Sequence, residues 1–137
     1  MSSARAVVAG HGDLASGLLS AVTQITGRDD VFVGLSNRAL SAQDVERVLR
    51  ESVDAHGAGV IFTDLPAGSC AMAARRLQRE RPELVVVTGV NLAALLDFVF
   101  SDAPDARAAA GDAVEKGRAS LALAGTKPAA GGGTRGH

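Results

Sequence analysis

The sequence has one cysteine, four phenylalanines and no tryptophan or tyrosine among its 137 residues. A single cysteine forms no internal disulfide, and so sparing a use of thiols fits a reducing compartment. Without tryptophan or tyrosine there is little platform on which single-stranded nucleic acid can stack its bases. The formal net charge is −1, which leaves no basic footprint for DNA, RNA or an anionic membrane. No segment approaches the roughly 20 apolar residues of a membrane span. The opening MSSARAVVAGHG lacks the apolar stretch of a signal peptide. The lone cysteine and three scattered histidines give no metal-ligand spacing. These absences predict a cytoplasmic protein without metal or cofactor, without membrane insertion and without a nucleic-acid partner.

What remains is apolar and aliphatic. Hydrophobic residues make up 47% of the chain, so a core must be built from Val, Leu, Ile and Ala. The length suits one domain. Apolar runs alternate with helical patterns. Strands are expected at Ala4–Ala9, Val31–Leu35, Gly59–Thr63 and Leu84–Val87. A helix over Gly12–Thr26 would carry the stripe Leu14, Leu18, Val22 and Ile25. A second, capped at Ser41, would turn Val45, Val48, Leu49 and Val53 inward. A third runs over Ser69–Arg79, and a fourth follows Asn91 with Leu92, Leu95, Leu96 and Val99. Period-3.6 stripes between continuous apolar runs predict a doubly wound α/β fold. Its four-stranded parallel sheet is covered by helices on both faces. Pro104–Lys116 reads as a fifth helix, and Ala119–Ala124 (ASLALA) as a C-terminal edge strand. The domain is expected over 1–124, with a disordered Gly/Ala-rich tail over 125–137.

Ligands of such sheets gather at the carboxyl ends of the strands. The first loop there is Gly10-His11-Gly12. It fits a G-x-G-x-x-A nucleotide fingerprint, but it also puts an imidazole where glycines let another group approach. Asp64 closes the third strand and can orient that imidazole by holding one ring nitrogen. Gly68 and Ser69 open a helix, where free amides and a hydroxyl suit an anion. The residues alone leave several chemistries open. Arg38 after the second strand could meet the 2′-phosphate of NADP. Ser69, His11 and Asp64 could form a hydrolase triad, although AGSCA lacks the second glycine of a nucleophile elbow. Cys70 beside a helix start could have a lowered pKa, or simply fill a tight loop.

Three motifs in order, AGHGDLASGL, FTDLPAGS and VVTGVNLAALLDFV, resemble the mannose-type IIA components of the bacterial phosphoenolpyruvate:sugar phosphotransferase system. The resemblance covers about residues 4–123. It implies that His11 is a phosphorylated nucleophile, that Asp64 orients it, and that Gly12, Gly68 and Ser69 hold the phosphoryl oxygens. It implies a phosphoryl donor, the carrier protein HPr, and an acceptor, a IIB component on a separate chain. Membrane IIC and IID components then follow indirectly. It also implies a homodimer that exchanges the C-terminal strand. Ala67 and Cys70 depart from the usual glycine and proline of the second motif, and Pro66 stiffens that loop. The same resemblance admits a phosphocarrier subunit of a dihydroxyacetone kinase or a regulator read through its phosphorylation state. An NADP-binding module is the reading from outside the family.

Overall fold

The computed structural model describes residues 4–125. Strands β1 (Ala6–Gly10), β2 (Phe32–Ser36), β3 (Val60–Thr63) and β4 (Val85–Thr88) form one sheet in the order β2-β1-β3-β4. All three pairings are parallel. Helices α1 (Leu14–Thr26), α2 (Ala42–His56), α3 (Ser69–Glu80), α4 (Leu92–Phe100) and α5 (Ala106–Ser120) complete it. Chain order runs outward in both directions from β1. The doubly wound α/β architecture is therefore as the alternating pattern predicts.

Every residue of β1 is buried. Successive side chains of a strand point to opposite faces, so β1 feeds two cores. On one face Ala6 and Val8 join Phe32, Val60, Phe62 and Phe98 beneath α1, α4 and α5. On the other, Val7, Ala9 and Ile61 meet Val45, Leu49 and Val53 of α2 and Ala73, Ala74 and Leu77 of α3. The scarce aromatics are concentrated in the first core. Phe62 lies edge-on to Phe98 at 5.3 Å and Phe32 lies 5.7 Å from Phe98. Offset and edge-on contacts of this kind add stabilisation beyond the buried area.

Several local expectations are corrected. In α1 the inward residues are Ala15 and Val22 with Leu18 and Leu19 beside them, while Leu14 and Ile25 are exposed. Gly34 of β2 explains the shift: a Cβ there would stand 3.2 Å from Leu19 and 3.4 Å from Ala15. The missing side chain lets α1 rest on β2 along a different line from the one that hydrophobicity marks. In α4 the buried set is Ala94, Leu95, Phe98 and Val99, with Leu92 and Leu96 only partly covered. Residues 119 and 120, read as the start of an edge strand, instead end α5, and residues 121–124 add no strand to this chain's sheet. The expected tail lies outside the described residues apart from Gly125. Among the described residues, no helix is long and apolar enough to cross a membrane.

Candidate phosphoryl-transfer site

The register pairs Gly10 with Ser36, and Ala9 with Thr63, which pairs with Thr88. All four strands therefore end at one edge, and the loops after β1, β2 and β3 emerge as neighbours. His11 follows β1 directly and Asp64 follows β3 directly. Because β1 and β3 are adjacent, the two side chains meet. Asp64 Oδ2 accepts from the His11 backbone N–H at 2.9 Å and lies 2.7 Å from His11 Nδ1. A carboxylate can only accept, so Nδ1 carries the proton and Nε2 keeps its lone pair.

The two partners differ in exposure. The Asp64 side chain is 8% exposed and the His11 side chain 52%. The orienting group is thus inside and the oriented ring outside, its free nitrogen open to a partner. Burial pushes the Asp64 carboxyl up, but the hydrogen bonds from the His11 ring and backbone outweigh it and hold the carboxyl below the usual carboxylate range. Asp64 Oδ1 is buried with no hydrogen-bond partner. The hydrogen bonding that this carboxylate does make is directed at His11.

Glycine at position 10 leaves room for this contact. A Cβ there would stand 3.3 Å from Asp64 Oδ2 and 3.4 Å from its Cβ, and a neighbour that close must move. Gly68 caps α3 with φ 112°, a conformation closed to most side chains, and makes no side-chain capping bond. A Cβ on Gly68 would lie 3.5 Å from His11 Cε1. Cε1 lies between the two ring nitrogens, so the start of α3 stands at the edge of the imidazole. First-turn amides without a side-chain cap and the positive end of the helix dipole are groups that favour an anion. Ser69 Oγ accepts from Asn37 Nδ2 at 3.0 Å, which leaves its own hydrogen to donate.

The structure thus brings together His11, Asp64, Gly68 and Ser69. It does not link Ser69 to His11 as a hydrolase triad would need: the Ser69 hydroxyl bonds Asn37. Gly12 adopts φ 56°, and Arg38 Nη2 lies 3.4 Å from where its Cβ would be. Arg38 also pairs with Asp13 at 3.1 Å, so it turns back onto the first loop rather than away toward a separate ribose site. Cys70 is fully buried. Burial and the Asp64 charge push its thiol pKa up, only partly offset by Ser69. It does not fill a loop, as the sequence suggested, but packs from the first turn of α3 into the second core, and it is no activated nucleophile. Sequence reasoning gave Asn37 no role, although its position just past β2 placed it at the right edge.

A family model described as PTS system fructose IIA component (EIIA-man) matches residues 5–116. No match to a curated protein sequence was found. Solved structures are similar in fold. A phosphotransferase system component EIIA from Streptococcus agalactiae has a TM-score of 0.80 at 22% identity, covering 87% of this chain and 95% of that one. A mannose/sorbose-specific IIA subunit from Enterococcus faecalis has a TM-score of 0.76 at 20% identity, covering 90% and 95%. A PTS IIA protein associated with the fucose utilization operon of Streptococcus pneumoniae has a TM-score of 0.75 at 24% identity, covering 90% and 96%. Together with the family match across residues 5–116, this fold and motif set show that the protein belongs to the mannose-type IIA family of phosphotransferase-system components.

Proposed function

We propose that the protein is a phosphoryl carrier in which His11 Nε2 takes a phosphoryl group from the phosphohistidine of HPr and passes it to a IIB component for sugar uptake. The observation that carries this reading is the Asp64 clamp on Nδ1, at 2.7 Å, which leaves Nε2 as the reactive nitrogen of an exposed ring. In the forward step the Nε2 lone pair forms the new N–P bond. The donor's N–P bond breaks and its electron pair stays on the donor nitrogen. The Nδ1 proton remains between the ring and Asp64, so the imidazolium that forms is neutralised in place. Phosphoryl transfer needs mainly positioning and charge stabilisation, and the Ser69 hydroxyl with the first amides of α3 supplies both to the phosphoryl oxygens. Gly12 leaves space for them on the other side. The reaction takes place in the cytoplasm, with IIC and IID met only through IIB.

The same reading includes a homodimer. Among the described residues, the outer edge of β4 pairs with no strand, and residues 121–124 leave α5 without joining its sheet. An exchanged C-terminal segment would cover the partner's open edge.

The test is labelling by phosphoenolpyruvate, enzyme I and HPr. Wild type should gain one acid-labile, base-stable phosphate, and His11→Ala none while keeping its fold. Labelling retained in His11→Ala would refute the site, and no labelling of wild type would refute the carrier role.

A further inference from the structure

We infer that Arg38 is the cation that grips the phosphoryl group on His11, and that Asp13 holds Arg38 between transfers. This rests on the phosphocarrier reading of His11. A histidine-bound phosphoryl group carries close to two negative charges, much as other phosphoryl modifications do at neutral pH. It would sit beside the Asp64 carboxylate. The imidazolium offsets one of these charges. The Ser69 hydroxyl and the α3 amides offer dipoles but no full charge. A guanidinium supplies one, in a fork that matches two phosphoryl oxygens.

The backbone brings Arg38 to this place. Asn37 N bonds Gly10 O at 3.2 Å, so the loop after β2 folds across the end of β1. Arg38 N is held by Ser36 Oγ at 3.1 Å. The turn closes with Leu40 N on Asn37 O at 3.1 Å and puts Ala39 at φ 62°. A left-handed alanine is a strained conformation that persists only where its surroundings enforce it. From this turn the two neighbouring side chains diverge. Asn37 crosses to Ser69. Arg38 reaches the first loop, with Nη2 against Gly12 and Nη1 3.1 Å from Asp13 Oδ1. β1 lies between β2 and β3, so His11 is flanked by Arg38 from the β2 side and by Gly68 and Ser69 from the β3 side.

The resting partner is suited to release. Arg38 is 63% exposed and Asp13 80%, and an ion pair so open to solvent is weak. The more concentrated charge of a phosphoryl group one residue away displaces it. Only hydrogen bonds are exchanged in this movement; the N–P bond is made and broken as before.

The test uses phosphoramidate, a small donor that needs no protein partner, on the full chain and on Arg38→Gln, Arg38→Lys and Asp13→Asn. Labelling of His11 should slow about tenfold in Arg38→Gln, the effect of one hydrogen bond between charged groups. It should be partly restored in Arg38→Lys and quicken about twofold in Asp13→Asn. The 31P resonance of the phosphohistidine adds a readout that a merely structural role would not move. A neighbouring cation favours the dianion, so the titration midpoint should rise in Arg38→Gln. An unchanged rate and midpoint in Arg38→Gln would overturn the clamp while leaving the carrier reading intact. Slowing in Asp13→Asn would overturn the holding role of Asp13. Wild type labelled by neither phosphoramidate nor phospho-HPr would overturn the carrier reading, and the clamp with it.

Discussion

One oxygen of Asp64 holds His11 twice: Oδ2 accepts from the backbone N–H at 2.9 Å and from the ring at 2.7 Å. The backbone bond fixes where the histidine leaves the sheet. The ring bond fixes which nitrogen faces out. A single buried carboxylate therefore sets both position and tautomer.

Asp64→Asn separates geometry from charge. The amide oxygen can occupy the place of Oδ2 and accept both hydrogen bonds. It cannot neutralise the imidazolium that forms on phosphorylation, and its NH2 group would take the place of Oδ1, which has no partner. Hydrogen bonds to charged groups are worth about 1.5–3 kcal/mol, so transfer should slow by about 10- to 100-fold while the fold is retained. Rapid-quench labelling by phospho-HPr measures this. A wild-type rate would remove Asp64 from the mechanism.

Gly10→Ala tests the same contact from the backbone. The new methyl would stand 3.3 Å from Asp64 Oδ2 on a strand buried along its whole length. The carboxylate must swing, and both bonds to His11 lengthen together. Labelling should fall at least as far as in Asp64→Asn, with stability lowered by about 1–3 kcal/mol from overpacking. Urea unfolding and the labelling assay on one preparation would check both. An unperturbed variant would mean that the clamp tolerates displacement.

The alternation of apolar runs and stripes made the sheet, its direction and its ligand edge readable from sequence. His11 and Asp64 were readable because each is the first polar residue after a buried strand. What sequence did not show depends on contacts between distant elements. The buried line of α1 departs from its hydrophobic stripe because Gly34 of β2 leaves room for Ala15 and Leu19. Asn37 carries no local signal because its hydrogen bond is to Ser69, 32 residues away. The end of α5 was read as a strand because ASLALA alternates, yet Ala119 and Ser120 continue a helix docked on Asn91, whose Nδ2 bonds Gly117 O at 2.9 Å.

The depressed pKa of Asp64 gives stability a defined pH dependence. The folded-state value lies below the unfolded one, so the contribution is complete above the unfolded pKa, about 3.9. It is lost as pH falls through the folded-state value. The stability gap between wild type and Asp64→Asn should shrink as pH falls on the acid side of about pH 4. Urea titrations across that range would show it. A gap that stayed constant through that range would mean that the carboxyl is not held below its ordinary value in the folded state.

Cys70 allows a prediction in the opposite direction. It follows Ser69 at the start of α3, where a helix dipole would ordinarily favour a thiolate. Here the residue is fully buried, and burial together with the nearby Asp64 charge pushes the thiol pKa up. Desolvation and a like charge therefore outweigh the dipole. Native protein at pH 8 should react with iodoacetamide roughly a hundredfold more slowly than protein in urea, because reaction must wait for local opening. Cys70→Ala should label at His11 near the wild-type rate, since the thiol takes no part in transfer. It should lose only about 1 kcal/mol of stability for the small cavity left by sulfur. Mass spectrometry of the alkylated chain and urea unfolding of the variant measure the two effects. Rapid native alkylation that also blocked His11 labelling would make Cys70 part of the reactive surface and place the start of α3 closer to solvent than its packing indicates.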